Sequence, residues 1–155
     1  RAEKGVRMHT DQFHPEGPDN LLITSVDAAL AGQNTLLAAE SLGYGGVIIG
    51  LVRYEAAEVA KLFNLPDYTY PVFVMALGVP NQNHPVKPRL PLEAVVFEES
   101  YQEQTPEVIE AFDQEQTAYA GARATDTWSQ RLAAQFGQEE PAATAELLKK
   151  HQLEK

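Results

Sequence analysis

From Asn20 to Leu42 the chain carries an apolar or small side chain at nearly every turn. Leu21-Leu22-Ile23, Ala28, Ala29, Ala31, Leu36, Leu37, Ala38, Ala39 and Leu42 run without an intervening proline. Apolar residues on almost every face predict a helix enclosed in a larger body rather than lying on its surface. At 1.5 Å per residue it spans roughly 33 Å, the width of a domain. Asp19 and Asn20 are suited to cap its first turn. Asp27, Gln33, Asn34 and Glu40 interrupt the apolar run, which argues against a membrane span. Ala28, Ala31, Gly32 and Ala38 leave room for a second helix. Gly43 reads as a C-cap, and Gly45-Gly46-Val47-Ile48-Ile49-Gly50 as a short buried strand that follows it.

The rest of the pattern is alternately helical and extended. Arg1 to Pro18 shows no period and reads as a loop or flexible entry. Ala56, Val59, Ala60 and Phe63 recur at helical intervals and predict a short amphipathic helix. Tyr70 to Gly78 is a continuous apolar run bounded by proline and glycine, expected as a buried central strand. Its helical connection to Val47–Ile49 permits a parallel pairing or separated strands in a mixed sheet. Val79 to Pro91 is polar and proline-rich. Pro88 and Pro91 push the residues before them out of the helical region, so the backbone around Lys87-Pro88-Arg89 is expected to be extended. In that conformation Lys87 and Arg89 face the same side and can meet one anion. Thr105-Pro106-Glu107 starts a helix. A second starts at Thr125 or Asp126, runs through Trp128, Leu132 and Phe136, and stops at Gly137. A third runs from Pro141 to Leu153. The apolar stripes of these last helices are narrow and are expected to wrap a partner subunit.

Charge sharpens the division. The net charge of −10 is uneven: residues 1–92 carry 9 acidic and 7 basic side chains, residues 93–155 carry 13 and 5. No basic stripe suits nucleic acid. The absence of cysteine excludes disulfides and thiolate metal sites. His9 and His14 flank Asp11, but no third ligand has a matching spacing, so no metal is expected. The composition fits a soluble cytoplasmic protein.

Three ordered blocks carry a resemblance. Gln33-Asn34 with Ala38-Ala39-Glu40-Ser41-Leu42-Gly43 and Gly45-Gly46-Val47 form the first. Lys87-Pro88-Arg89-Leu90-Pro91 and Asp126-Thr127-Trp128-Ser129 are the second and third. Together they resemble the flavin-dependent nitroreductase family, in its oxygen-insensitive NADPH nitroreductase and NADPH-flavin reductase branch. The resemblance covers nearly the whole chain. Family members begin with a further segment carrying an Arg-Ser-x-Arg motif, and here Arg1 and Arg7 are flanked instead by Ala2, Met8 and His9. The chain is therefore read as the C-terminal part of a nitroreductase.

The resemblance implies an α+β fold: a mixed sheet flanked by helices, with a long buried central helix. The chain would form one domain fragment: entry 1–18, core and phosphate loop 19–92, acidic helical extension 93–155. It implies FMN at a homodimer interface, with Lys87 and Arg89 on the flavin phosphate and Ile48, Ile49, Gly50 and Leu51 along the ring. Ile48 replaces a common tyrosine and Leu51 a common second glycine, which could narrow the substrate pocket. Arg53 and Arg123 are expected on the NADPH or NADH side. Asp19 stands where a pocket glutamate often sits, although its cap role explains it. No catalytic side chain is expected, since hydride chemistry belongs to the flavin. The implied activity is ping-pong reduction of nitroaromatics, quinones or free flavin by NAD(P)H. The alternative is a non-catalytic fragment that dimerises without binding flavin productively.

Overall fold

Leu21, Ser25, Ala28, Gly32, Leu36 and Ala39 form one stripe along the longest helix and are its more enclosed positions. They recur every three or four residues, the spacing that puts side chains on one helical face. In the computed structural model, which describes residues 2–137 and 142–153, the chain divides into two compact units. One contains residues 2–81 and 142–153, the other residues 82–137.

The first unit begins with α1 (Ala2–Arg7), a short helix inside the stretch expected to be irregular. Arg7 Nε donates to Glu3 at 2.8 Å one turn earlier, which favours that turn. The long helix is α2 (Pro18–Ser41), and its start differs from expectation. Gly17 takes the cap position and Pro18 the first turn, where a missing N–H costs nothing. Asp19 and Asn20 lie inside the helix instead, and the Asn20 amide donates back to His14 O at 3.1 Å. The end follows expectation. Gly43 adopts φ 85°, its N–H donates to Glu40 O and that of Tyr44 to Ala39 O, both at 3.0 Å. These two bonds close a Schellman turn that only glycine enters without strain.

The expectation that α2 is buried needs correction for this chain. Only Gly32 and Ala39 are buried, and Leu22, Ile23, Val26, Leu30 and Leu37 are exposed. The reason is that packing reaches one stripe alone. Gly32 admits the ring of Phe73, not a second helix: a Cβ at position 32 would sit 2.4 Å from Phe73 Cζ.

Two strands follow, β1 (Gly45–Ile49) and β2 (Val74–Gly78). They pair directly and antiparallel, in the register Gly45 with Gly78, Val47 with Ala76 and Ile49 with Val74. Neither a parallel pair nor separated strands forms. Between them a 3₁₀ turn (Leu51–Glu55), α3 (Ala56–Leu62) and an irregular return bring the chain back reversed. Regular strand begins at Val74, four residues later than the apolar run suggested. Val47, Ile48 and Ile49 remain exposed in this chain, so β1 is no buried strand within it.

The packed centre of this unit joins Ala56 and Ala60 of α3 to Leu147 of α6 (Ala142–Lys150), with Leu65 and Tyr70 against them. Leu147 is 2% exposed. The last helix therefore supplies core within its own chain. Just beyond it, His151 Nδ1 donates to Thr69 O at 2.7 Å, and Tyr68 N donates to His151 O at 3.0 Å.

The second unit holds a 3₁₀ turn (Leu92–Ala94), α4 (Pro106–Ala120), a 3₁₀ turn (Gly121–Arg123) and α5 (Trp128–Phe136). As predicted, Pro106 opens α4 after Thr105 and Gly137 follows α5. Thr127, one residue beyond Asp126 and two beyond Thr125, caps α5 in a reciprocal box with Gln130. Phe112 and Trp128 meet edge to face at 5.1 Å.

Candidate functional site

Prolines at 85, 88 and 91 remove three backbone donors from the loop that opens the second unit but leave every carbonyl to be satisfied. Helix α4 supplies the donors. The amide of buried Gln116 donates to Pro88 O at 2.9 Å, and Tyr119 Oη donates to Pro85 O at 3.1 Å. Spaced three apart, these two side chains share a face of α4 and hold the loop from both sides of Lys87.

Lys87 then lines an open cleft of about 450 Å³ with His84, Arg123, Asp126 and Arg131. Gly121 makes the approach possible. At φ 55° it takes the conformation open to glycine, ends α4, and starts the turn that carries Arg123 to the cleft. Arg131 projects from α5, and its Nη1 donates to Asp126 O at 2.7 Å. Among the described residues the ion pairs are Arg7–Glu3 and His14–Glu16. Lys87, Arg123 and Arg131 thus face the cleft without a carboxylate partner among them.

Arg89 is not among the residues lining this cleft. Its Nη1 donates to Lys87 O at 3.1 Å and to Pro88 O at 3.3 Å, so the guanidinium folds back on its own loop. Lys87 and Arg123 are brought together, whereas Lys87 and Arg89 do not share the cleft.

Ile48 and Ile49 end β1, and Gly50 and Leu51 begin the turn beyond it. Leu51 is 72% exposed. Arg53 lies against Gly50, where a Cβ would meet Nη1 at 3.0 Å, and that Nη1 donates to Val72 O at 2.7 Å. The bond ties the exit of β1 to the approach of β2, while Thr144 Oγ1 donates to Arg53 O at 3.0 Å. Asp19 is exposed in the first turn of α2. Among the described residues no three His, Asp or Glu side chains converge as a metal site.

Asp113 supports α5 from α4. It accepts from Ser129 N at 2.9 Å and Ser129 Oγ at 2.5 Å. Burial pushes this carboxyl up, but hydrogen bonds from Ser129, Thr127 and the Trp128 backbone outweigh it and hold the group below the usual range.

Gln116, Tyr119, His84 and Arg131 were not singled out from the sequence. Charge offers a clue to Arg131 alone: between residues 82 and 140 stand eleven acidic and only four basic side chains, so each basic one is conspicuous.

The chain matches the nitroreductase family over residues 6–79 and the C-terminal domain of that family over residues 87–155. It is 47% identical over 115 residues to the NADPH-flavin oxidoreductase of Vibrio harveyi, covering 72% of this chain and 48% of that protein. It is 42% identical over 118 residues to the oxygen-insensitive NADPH nitroreductase of Salmonella typhimurium, covering 74% of this chain and 49% of the relative. Among solved structures, nitroreductase A from Vibrio parahaemolyticus superposes with a TM-score of 0.87 at 38% identity. That likeness covers 97% of this chain and 63% of the other. The chain spans about half the length of these curated relatives. The α+β arrangement expected from the sequence is thus the fold of these neighbours, and the chain belongs to the nitroreductase family.

Proposed function

We propose that this chain forms part of an FMN-dependent NAD(P)H oxidoreductase that reduces nitroaromatics, quinones or free flavin by a ping-pong cycle. The observation carrying this reading is the cleft around Lys87, which gathers positive side chains in a protein of net charge −10. Such local concentration against the general field is how a protein attracts an anionic ligand. The relative named NADPH-flavin oxidoreductase supports the choice of ligands.

The residues present fit the cofactor's phosphate. Lys87 is exposed on a loop held by Gln116 and Tyr119, so a point charge stands ready with little backbone ordering left to complete. Arg89 is adjacent and would reach the phosphate by turning away from the Lys87 and Pro88 carbonyls. Ile48, Ile49, Gly50 and Leu51 form the apolar edge proposed to lie along the flavin ring, with Arg53 and Arg123 toward the nicotinamide nucleotide. When bound, FMN supplies hydride acceptance and donation; the protein's part is to hold, orient and exclude water.

The exposed apolar face of α2 supports association into a homodimer, since a patch of this kind on a monomer normally marks an interface. Helix α2 has the length and hydropathy of a membrane span. However, its inner stripe packs on Phe73 and it lies wholly within the matched segment 6–79. We read it as a helix of the fold in a cytoplasmic protein. The same exposed face favours a second reading, a non-catalytic piece that associates without holding flavin productively.

The visible spectrum of the purified chain after incubation with FMN and gel filtration separates the two. Retained flavin colour together with NADPH oxidation on a nitroaromatic supports the enzyme; a colourless, inactive oligomer supports the second reading.

A further inference from the structure

Another cavity, of about 420 Å³, lies wholly within the first unit, between α1, the first half of α2 and the segment entering β2. That volume is within the usual range of roughly 300–1,000 Å³ for small-molecule sites. Val6, Phe13, Ala28, Val72 and Leu153 supply its apolar lining. Charged residues make up 22% of the chain, yet among the described residues no Asp, Glu, Lys or Arg lines this cavity. A charged ligand would enter it without a counter-charge, at a heavy desolvation cost.

The polar side chains of the lining share one hydrogen-bonding sense. Thr24 Oγ1 donates to Asn20 O at 2.9 Å, and the Asn20 amide donates to His14 O at 3.1 Å and Glu16 O at 3.4 Å. Ser25 Oγ gives its proton to Leu21 O at 2.6 Å, so in the close bond between Ser25 and Tyr70 the tyrosine is the donor. Tyr68 Oη donates to Gln152 Oε1 at 3.4 Å. The donors of Asn20, Thr24, Tyr68 and Tyr70 are thus spent, while their oxygens keep lone pairs. Such a lining selects a ligand that donates a hydrogen bond.

One wall is built under strain. Tyr68 at φ 61° and Gln152 at φ 59° both hold the left-handed conformation that residues other than glycine rarely enter. Two bonds fix them: Tyr68 N donates to His151 O at 3.0 Å, and buried His151 Nδ1 donates to Thr69 O at 2.7 Å. Tyr68 then stands edge to face with Phe13, centroids 5.1 Å apart, and Leu153 reaches the cavity. Strain of this kind persists only where the surroundings over-determine it, and it clusters at ligand clamps. Two aromatic rings on an uncharged wall suit a planar aromatic ligand.

We propose that this cavity is a binding site for a neutral aromatic alcohol of the phenol or naphthol class. The ligand's hydroxyl donates to the acceptors of Thr24, Asn20 and Tyr70, and its ring rests against Phe13 and Tyr68. The inference uses the first unit alone and does not depend on the flavin reading.

Titration of the isotope-labelled 155-residue chain with 2-naphthol, followed through its amide spectrum, is the test. Two analogues accompany it: 2-methoxynaphthalene, which keeps the rings but cannot donate, and naphthalene-2-sulfonate, which adds a charge. The expected result is saturable shifts at the amides of Thr24, Ala28 and Thr69. The methoxy analogue should bind about three- to tenfold more weakly, and the sulfonate more weakly still. Ala28→Phe fills the cavity and should abolish the saturable shifts. Tyr68→Asn removes the ring with a residue that tolerates the left-handed backbone, and should weaken 2-naphthol about tenfold. Should Ala28→Phe lose its fold by circular dichroism, Tyr68→Asn and the analogue series decide. Shifts confined to the exposed face of α2 around Leu22, Leu30 and Leu37, equal affinity for the three compounds, or unchanged affinity in Tyr68→Asn would overturn the proposal.

Discussion

The Gln116 amide donates at 2.9 Å to the carbonyl of Pro88, twenty-eight positions earlier, and the same carbonyl accepts from Arg89 at 3.3 Å. One oxygen thus couples a buried side chain of α4 to Arg89 of the proline loop. Gln116 is 7% exposed, so its polar end depends on this bond. Replacing it by leucine leaves the carbonyl with the longer bond alone and should cost about 1 kcal/mol of stability. Loosening the loop should also weaken FMN binding in whatever assembly binds it. The midpoint of urea unfolding checks the first effect and fluorescence titration the second; a variant with both unchanged would show that the bond holds nothing.

Lys87→Ala and Arg89→Ala should each weaken FMN by about ten- to hundredfold, the loss of a charge-assisted contact of roughly 1.5–3 kcal/mol. The two variants test different things. Lys87 already faces the cleft, whereas Arg89 must give up two backbone carbonyls to reach it. The Lys87 variant is therefore expected to show the larger loss. Unchanged FMN affinity in both variants would remove the proline loop from the flavin site.

Asp113 predicts a pH dependence with a definite sign. Its carboxyl is held below the ordinary aspartate value, about 3.9, once the hydrogen bonds from Ser129, Thr127 and Trp128 overcome burial. A group with a depressed folded-state pKa contributes stability that is complete above the unfolded value and disappears as pH falls through the folded one. Asp113→Asn should lower stability by about 1 kcal/mol near neutrality, allowing for solvent screening of a partly exposed group. The difference should vanish toward strongly acidic pH. Thermal melts of both proteins from neutral to acidic pH provide the check: curves that stay parallel throughout would show that the carboxylate contributes nothing through its charge.

The exposed face of α2 predicts association. Leu22, Ile23, Val26, Leu30 and Leu37 line up on it, and Leu30 is 59% exposed. Sedimentation velocity at micromolar concentration should report a dimer or larger species. Leu30→Glu, which places a charge in the middle of the patch without disturbing the packed stripe, should shift the protein toward monomer. A monomer before the substitution would leave this face without the proposed role.

Elements with a strong period were legible in the sequence, and surroundings were not. The spacing in α2 and the Thr105-Pro106 start of α4 reflect local backbone physics and survive in the fold. Burial of α2 did not, because an all-apolar helix shows only that something covers it, not which part of which chain. The cap of α2 moved because Pro18 fixes its own φ and makes Gly17 the boundary, ahead of Asp19 and Asn20. At the candidate site, Lys87 and Arg123 could be named through resemblance. Arg131 and His84 could not, since their meeting depends on how α4 and α5 pack. The shared direction of Lys87 and Arg89 followed from backbone alternation, but alternation does not fix a long side chain, and Arg89 found nearer carbonyls.

A double-mutant cycle at Gly32 and Phe73 tests how α2 is seated. Glycine inside a helix costs roughly 1 kcal/mol relative to alanine, so Gly32→Ala in isolation favours the helix. Here the added Cβ would stand 2.4 Å from Phe73 Cζ and 2.9 Å from Cε2, well inside contact distance. Forcing a methyl into a packed contact costs about 1–3 kcal/mol, and the ring must move along with the approach to β2. The clash outweighs the propensity gain, so Gly32→Ala should destabilise by about 1 kcal/mol. Phe73→Leu alone removes part of the packing and should also destabilise. Combined, the smaller side chain makes room for the methyl, and the double variant should be more stable than the sum of the two losses, by on the order of 1 kcal/mol. Urea unfolding of the four proteins measures the coupling. Simple additivity would mean that Phe73 does not rest on Gly32 in solution, and the seating of α2 on the approach to β2 would have to be abandoned.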